Sequence, residues 1–333
     1  MQTRRTLLQQ IGVAAVLPAV GTAVSPGPAI AQGAKIVRLA DQNGSEVDYA
    51  AVWVAELNGY YEQEGIKIDR KTYPNGPSAL LDINNLDAVL AAIAPFMQFV
   101  ARGGDVRIVM SVTKGNAPIV GKKQYKSVKD LDRKKVGTPG IGTIHDAVLG
   151  YIQQTSGIKF EHVPAKITDV AIMIQKGEAE AFIGWEPASA AAIAQAPDLL
   201  HYIQRMPPIP NSESLQLAFT PAFVKANPDT VEKFVRATLK GVEWIKANSK
   251  EKTAELVARK MNDPKSYAVN LDALGSVDLT QPRLDMASTR IWLTTIAKQG
   301  KIPEDLVKDV DTWVGKYLDY SFLDKAEAAL KKM

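Results

Sequence analysis

The chain has 333 residues, 46% of them apolar and 23% charged, with a formal net charge of +4. That length builds two cores of ordinary size more naturally than one large one, and the composition excludes a disordered tail or a polytopic membrane protein. A balance of 40 basic against 36 acidic residues excludes the electrostatic footprint of a nucleic-acid binder.

Short basic runs, Lys122-Lys123 and Arg133-Lys134-Lys135, lie beside acids and read as solvated faces. Cysteine is absent, which removes a disulfide framework, a thiolate nucleophile, a Cys-built metal site and a lipid-bearing N-terminal Cys. At the start, Thr3-Arg4-Arg5-Thr6-Leu7-Leu8 precedes a weakly apolar stretch over residues 11–24 and then Ala29-Ile30-Ala31. This reads as a signal peptide over residues 1–31 with a twin-arginine n-region, cleaved after Ala31. An ordinary secretory signal with an accidental Arg pair is the other reading, and both export the chain. Loss of Arg4 and Arg5 leaves 38 basic against 36 acidic residues, a net +2. With no Cys to carry lipid, the exported protein is expected to be free in a periplasm, and no later apolar run is long enough to span a bilayer.

Residues 35–40 alternate and are β-branched, predicting a strand; residues 47–57 carry helical spacing that Gly59 stops. A short extended segment, 66–70, ends in Tyr73-Pro74-Asn75-Gly76-Pro77-Ser78, after which a helix begins near Ala79. The pattern repeats with strand 88–93, helix 95–102 and strand 106–112. Alternation of this kind implies parallel βαβ units.

A second series follows Thr113-Lys114-Gly115-Asn116. Strands are predicted over 118–121, 135–138, 159–163 and 179–185, with helices starting near Ser127, Thr143, Thr168 and Glu186. Pro-dense residues 206–211 read as a linker returning to the first lobe. Strand 215–220 then leads into helices over 228–248, 250–262, 283–300 and 303–317; Asn227 is the expected N-cap of the first, with Pro228 at its first position. The predicted organisation is therefore a discontinuous lobe 1, residues 32–113 plus 215–333, and an inserted lobe 2, residues 114–214.

The strongest local signal is Val136-Gly137-Thr138-Pro139-Gly140-Ile141-Gly142-Thr143-Ile144-His145-Asp146, a strand, a glycine-bearing turn and a helix start. Free N–H groups at that start, with the positive end of the helix dipole and the Thr143 hydroxyl, can hold an anion's oxygens; equally, the glycines can serve tight packing. Gly76-Pro77-Ser78 and Ala94-Pro95-Phe96 are two more loop-to-helix starts, each a second donor set or a plain helix start. Open α/β sheets bind ligands at the carboxyl ends of their strands, where these loops fall. Trp185-Glu186-Pro187 follows a strand and places an aromatic at the cleft edge, to stack on a ligand or to pack. Tyr49 and Trp53 share one helix face and read as core. His145, His162 and His201 have no metal-ligand spacing, no carboxylate pair is singled out, and no Gly-x-Ser-x-Gly elbow is present.

Four segments together resemble the nitrate/sulfonate/taurine-type substrate-binding proteins of ABC importers, which share their fold with the thiamine-pyrimidine synthases. They are Gly59-Tyr60-Tyr61-Glu62-Gln63-Glu64-Gly65-Ile66, residues 137–145, residues 177–187, and Asn227-Pro228-Asp229-Thr230-Val231 with its helix. They occur in the family's order over residues 35–250. The resemblance implies an α/β, type II periplasmic-binding fold of two hinged lobes with a cleft between them. It places the cleft loops at Asn43 and Gly44, Gly76 to Ser78, Ala94 and Pro95, Lys114, Gly142 to His145, and Trp185 to Pro187. Two departures stand out. Asn84-Asn85-Leu86-Asp87-Ala88 keeps the aspartate of the family's Gly-x-x-Asp signature but not the glycine, and the synthases' cysteine cluster is missing.

The implied function is capture of a small anionic solute by lobe closure and its delivery to a permease with its ATPase. The solute would be a sulfonate, carboxylate or nitrate, with Trp185 and Phe96 leaving room for an aromatic acid. The expected protein is a monomer with no cofactor, metal or catalytic residue. An exported ligand sensor and an enzyme on the same fold are the rival readings.

Overall fold

A computed structural model describes residues 33–332, so the expected signal peptide lies outside the described residues. No helix among the described residues is long and apolar enough to cross a membrane.

The described strands, in chain order, are β1 (Lys35–Gln42), β2 (Ile66–Tyr73), β3 (Ala88–Ala92), β4 (Arg107–Gly115), β5 (Ile119–Lys122), β6 (Lys135–Thr138), β7 (Glu161–Pro164), β8 (Ala181–Ile183), β9 (Leu200–Gln204), β10 (Glu213–Phe219) and β11 (Val277–Asp278). They form a six-stranded sheet, β11-β4-β10-β3-β1-β2, and a five-stranded sheet, β7-β6-β8-β5-β9. The two are built alike. β1 is parallel to β2 and β3, and β6 is parallel to β7 and β8, as βαβ crossovers require. Into each sheet the strand arriving from the other lobe inserts antiparallel: β10 between β3 and β4, and β5 between β8 and β9. The chain passes between sheets twice, between Gly115 and Ile119 and between Gln204 and Glu213. This is the two-lobed α/β architecture that the resemblance implies.

Central strands are buried on both faces because helices cover both. All of Ala88–Ala92 is buried, and the same holds for Glu213–Phe219. The retained Asp87 ties two strands together. Its carboxylate accepts from the Arg38 main-chain N–H at 2.9 Å and from the guanidinium at 2.7 and 3.1 Å, pinning the start of β3 to β1. Helix Pro228–Ala247 lies where expected, with Asn227 at its N-cap position, but the Asn227 side chain makes no capping hydrogen bond. A helix that sequence reading missed, Pro221–Ala226, ends at Asn227, and the Asn227 amide turns back to donate to Phe223 O at 3.4 Å. The single helix expected over 303–317 is instead a 3-10 turn, Glu304–Asp309, followed by helix Val310–Gly315, because Asp309 caps a new start by accepting from Thr312 N. Helix Ser321–Leu330 and strand β9 were also missed. β9 has a half-buried burial pattern and gives no clean alternation to read.

Tyr49 and Trp53 are buried in the apolar cluster between the first sheet and helix Pro228–Ala247, as expected of core residues. A second cluster runs through both lobes. Phe96 and Met97, on helix Ile93–Ala101, pack in it with Ile144 and Val148 of helix Ile144–Ser156 and with Trp292 and Leu293 of helix Met286–Lys298. One flank of the seam between lobes is therefore a shared hydrophobic core.

Candidate functional site

The carboxyl ends of β1, β2, β3, β6, β7 and β8 face one another across the seam. The loop after β1 turns at Gly44, whose φ of 72° is left-handed, where a side chain would be strained. Gly44 comes against Ala188, Ile167 and the Trp185 indole of the other lobe, and Trp185 Nε1 donates to Asn43 O at 3.3 Å. Asn75 Nδ2 donates to Pro139 O at 3.3 Å, and Gln98 Nε2 to Gly142 O at 2.9 Å. These three bonds all cross between lobes, so the conformation is closed.

Closure leaves a half-open cavity of about 30 Å³, room for about two water molecules. Of the residues singled out in the sequence, Gly76, Pro77, Pro95, Thr143, Ile144, His145 and Trp185 line it. Sequence reading missed Gln42, Ser45, Asp48, Asn75, Ala92, Ser214 and Leu215. Asp48 carried a readable signal, a lone carboxylate in the otherwise apolar run Val47-Asp48-Tyr49-Ala50-Ala51-Val52. Ser214 and Leu215 had none, since β10 brings them from the far end of the second lobe.

The remaining expected residues have other roles. Asn43 offers its carbonyl to Trp185, and Gly44 makes the turn beside it. Ser78 does not reach the cavity; its N–H and hydroxyl both donate to Asn75 Oδ1 at the start of helix Gly76–Leu81. Ala94 and Phe96 are fully buried in the shared core. Lys114 sits in β4, 2% exposed, paired with the wholly buried Glu213; it faces a groove lined by Lys246, Arg283 and Asp285, away from the cavity. Glu213 is held further by Ser111 Oγ at 3.0 Å and Gln216 Nε2 at 2.9 Å.

Glu186 is a structural tie. Its carboxylate accepts from Ala190 N at 2.9 Å, Tyr202 Oη at 2.8 Å and Ser276 Oγ at 2.9 Å, and its main-chain N–H donates to Asn116 Oδ1 at 2.7 Å. It thereby joins the loop after β8 to the first crossing, to β9 and to the first lobe. Burial pushes its carboxyl up to about 7.

The expected anion cradle at Gly142 and Thr143 is closed by the protein itself. Gly142 N–H donates to Asp146 Oδ2 at 2.8 Å. The Thr143 hydroxyl donates to Gly140 O at 2.8 Å and accepts from Asp146 N at 3.3 Å as the N-cap of the helix. Asp146 adds a carboxylate at the positive end of the dipole, where it is favourable, and Lys301 from the first lobe pairs with it. Gly142→Pro would therefore perturb the turn itself, because φ here is 83° and proline is fixed near −65°. The N–H groups of Thr143, Ile144 and His145 remain free of protein partners at this helix start.

What the cavity presents instead is acceptors. His145 is 4% exposed, and burial pushes its pKa down to about 4, so the ring is neutral. Its Nε2 lies 3.2 Å from Asn116 O, and the Gly184 carbonyl also neighbours the ring; a carbonyl can only accept, so the proton is placed on Nε2, beside Asn116, and Nδ1 is left as the acceptor. That Nδ1 has no partner. Asp48 is 4% exposed, its Oδ1 likewise has no partner within hydrogen-bond distance, and burial pushes its carboxyl up to about 7 against the opposing pull of the Thr113 and Asn116 side chains beside it. The Trp185 and His145 rings lie 5.3 Å apart at 51°, and no Lys or Arg lines the cavity.

Comparison with known proteins places this geometry. Across 89% of each chain the fold superposes on the periplasmic nitrate-binding protein of Synechocystis PCC 6803, with a TM-score of 0.74 at 14% identity. The alkanesulfonate-binding protein of Xanthomonas axonopodis pv. citri, bound to MOPS, superposes with a TM-score of 0.70 at 15% identity, over 85% of this chain and 98% of that one. In sequence, the formylaminopyrimidine-binding protein of Halalkalibacterium halodurans is 24% identical over 212 residues, 60% of this chain; the match spans 63% of the relative's length, less than two thirds. The family model described as NMT1/THI5 like matches residues 46–252, from the loop after β1 through the whole second sheet and into helix Lys250–Lys260. That is more than half of the chain, and the protein belongs to the NMT1/THI5-like family.

Proposed function

We propose that the protein is the solute-binding component of an ABC-type importer, and that its solute is a small nitrogenous molecule bearing N–H donors. The family, the two-lobed fold and the described roles of its neighbours support the import reading. Export to a periplasm, with a permease and its ATPase as partners, goes with it. The solute is bound unaltered, so mass spectrometry after prolonged incubation recovers it intact.

The observation that carries the ligand class is the pair of unpartnered acceptors, Asp48 Oδ1 and His145 Nδ1, in a cavity that no cation lines. A buried acceptor without a partner is unfavourable until a donor arrives. An oxyanion would add a second negative group beside Asp48 in a low-dielectric space, which is strongly disfavoured. An amino-substituted nitrogen heterocycle does the reverse: its N–H groups meet Asp48 and His145, and its ring nitrogens accept from the free N–H groups of Ile144 and His145. The relatives are described as binding nitrate, alkanesulfonate and formylaminopyrimidine, and the last has the chemistry this cavity asks for. A six-membered ring exceeds the space present, so the lobes close less far around the solute than in the conformation described.

Calorimetric titration with formylaminopyrimidine, 4-aminopyrimidine, nitrate and a short alkanesulfonate tests the assignment. Binding of a pyrimidine and not of the anions is expected. Binding of an anion with no response to either pyrimidine overturns the ligand class.

A further inference from the structure

We propose a second small-molecule site, in the groove of about 470 Å³ that both lobes line beside the cavity; it takes an apolar ring compound carrying one N–H or O–H donor. Gly44 and Glu46 come from the loop after β1, Ile167 and Ala191 from the second lobe, and Val269 and Asn270 from helix Tyr267–Ala273. The contact of Asn43 and Gly44 with Trp185 separates the groove from the cavity.

Asn270 identifies the ligand chemistry. It is 0% exposed, and its amide Nδ2 donates to Ser266 Oγ at 3.1 Å. The Ser266 hydroxyl in turn donates to Asp263 O at 2.7 Å, so its proton is not available to Asn270. The Asn270 carbonyl oxygen is left buried with no partner, although the residue forms part of the groove wall. Glu46, Thr168, Gln195 and Asp263 also line the groove, but Asn270 Oδ1 is its buried acceptor left without a partner, and it matches a donor carried on a mostly apolar body. Of the two acids that line the groove, Glu46 is muted, because burial pushes its carboxyl up, and Asp263 Oδ1 accepts from Lys265 N at 3.1 Å. Since the walls come from both lobes, an occupant stabilises the closed form. Resting on the cleft reading, this means groove and cleft ligands raise each other's affinity.

Indole is the probe. Titration of the purified protein is expected to show saturable single-site binding, weakened about tenfold in Asn270→Leu. Ala191→Trp, which fills the groove from a half-exposed position and so tolerates the added bulk, abolishes it. Indole binding is read with no cleft ligand present, so a failure of the cleft reading is separable from a failure of this one. Hydrogen exchange with indole bound is expected to slow in both lobes, at residues 44–46 and 187–191. Absence of saturable binding, binding that survives Ala191→Trp, or protection confined to one lobe overturns the proposal.

Discussion

Asp48 is placed so that its proton reports on the ligand. Its carboxyl is pushed from 3.8 up to about 7 by burial, so in the unliganded protein it is about half protonated at neutral pH. A donor ligand favours the ionised form. Binding below pH 7 therefore releases a proton, and affinity is expected to rise by up to about tenfold per pH unit between about pH 5 and 7 before levelling off. His145, pushed down to about 4, stays neutral throughout this range. Calorimetry in buffers of different ionisation enthalpy reads the proton directly, and an affinity that falls with rising pH would point to an anion. Asp48→Asn should abolish the pH dependence and weaken binding about tenfold or more, the scale of a charge-assisted hydrogen bond. The same shift affects stability. The unfolded chain releases this proton near 3.8 and the native one near 7, so Asp48 reduces stability as pH rises between those values. The asparagine variant should accordingly gain melting temperature on the wild type at pH 7 relative to pH 5.

Between elements, two buried acids hold the strands that pass from lobe to lobe. Glu186 satisfies donors from Ala190, Tyr202 and Ser276 at once. Glu186→Ala strands all three and is expected to cost about 3 kcal/mol or more. Glu186→Gln, similar in shape to a carboxyl pushed up to about 7, should cost less in the same urea titration. Lys114 and Glu213 join β4 to β10 inside the first lobe. Lys114→Met leaves a buried carboxylate without its partner, a loss of about 3–5 kcal/mol, while the double change Lys114→Met with Glu213→Leu should recover much of it. Ligand affinity of the folded Lys114→Met protein should match the wild type, because this pair lies away from the cavity.

At the scale of the molecule, closure rests on more than the solute. Helix Ile144–Ser156 shares an apolar core with two helices of the other lobe, and Lys301 crosses the seam to Asp146. Gln154 Nε2 donates across it to Thr295 O at 3.2 Å. Opening must expose part of that apolar surface, so the unliganded protein is expected to populate the closed form substantially. Lys301→Ala removes one seam contact. It should enlarge the unliganded radius of gyration in small-angle scattering and weaken ligand binding several-fold, since part of the binding energy then drives closure.

The alternation of strands and helices was legible because each segment carries its own period, and periodicity is a local property. The loops at Gly76, Pro95, Thr143 to His145 and Trp185 were legible for a related reason: glycine and proline mark the turns that follow parallel strands, and such turns line the cleft in this architecture. Chemical character was not legible in the same way. Gly142 and Thr143 look like an anion cradle until Asp146, one turn on, is seen to take the Gly142 N–H, and Gly140 O the Thr143 hydroxyl. Lys114 looks like a cleft cation until Glu213, from a strand 99 residues away, is seen to hold it. Asp48 and His145 become a matched pair of acceptors only when two sheets close on each other. Which hydrogen-bonding groups remain free is a property of all their neighbours together, and those neighbours are assembled from distant parts of the chain.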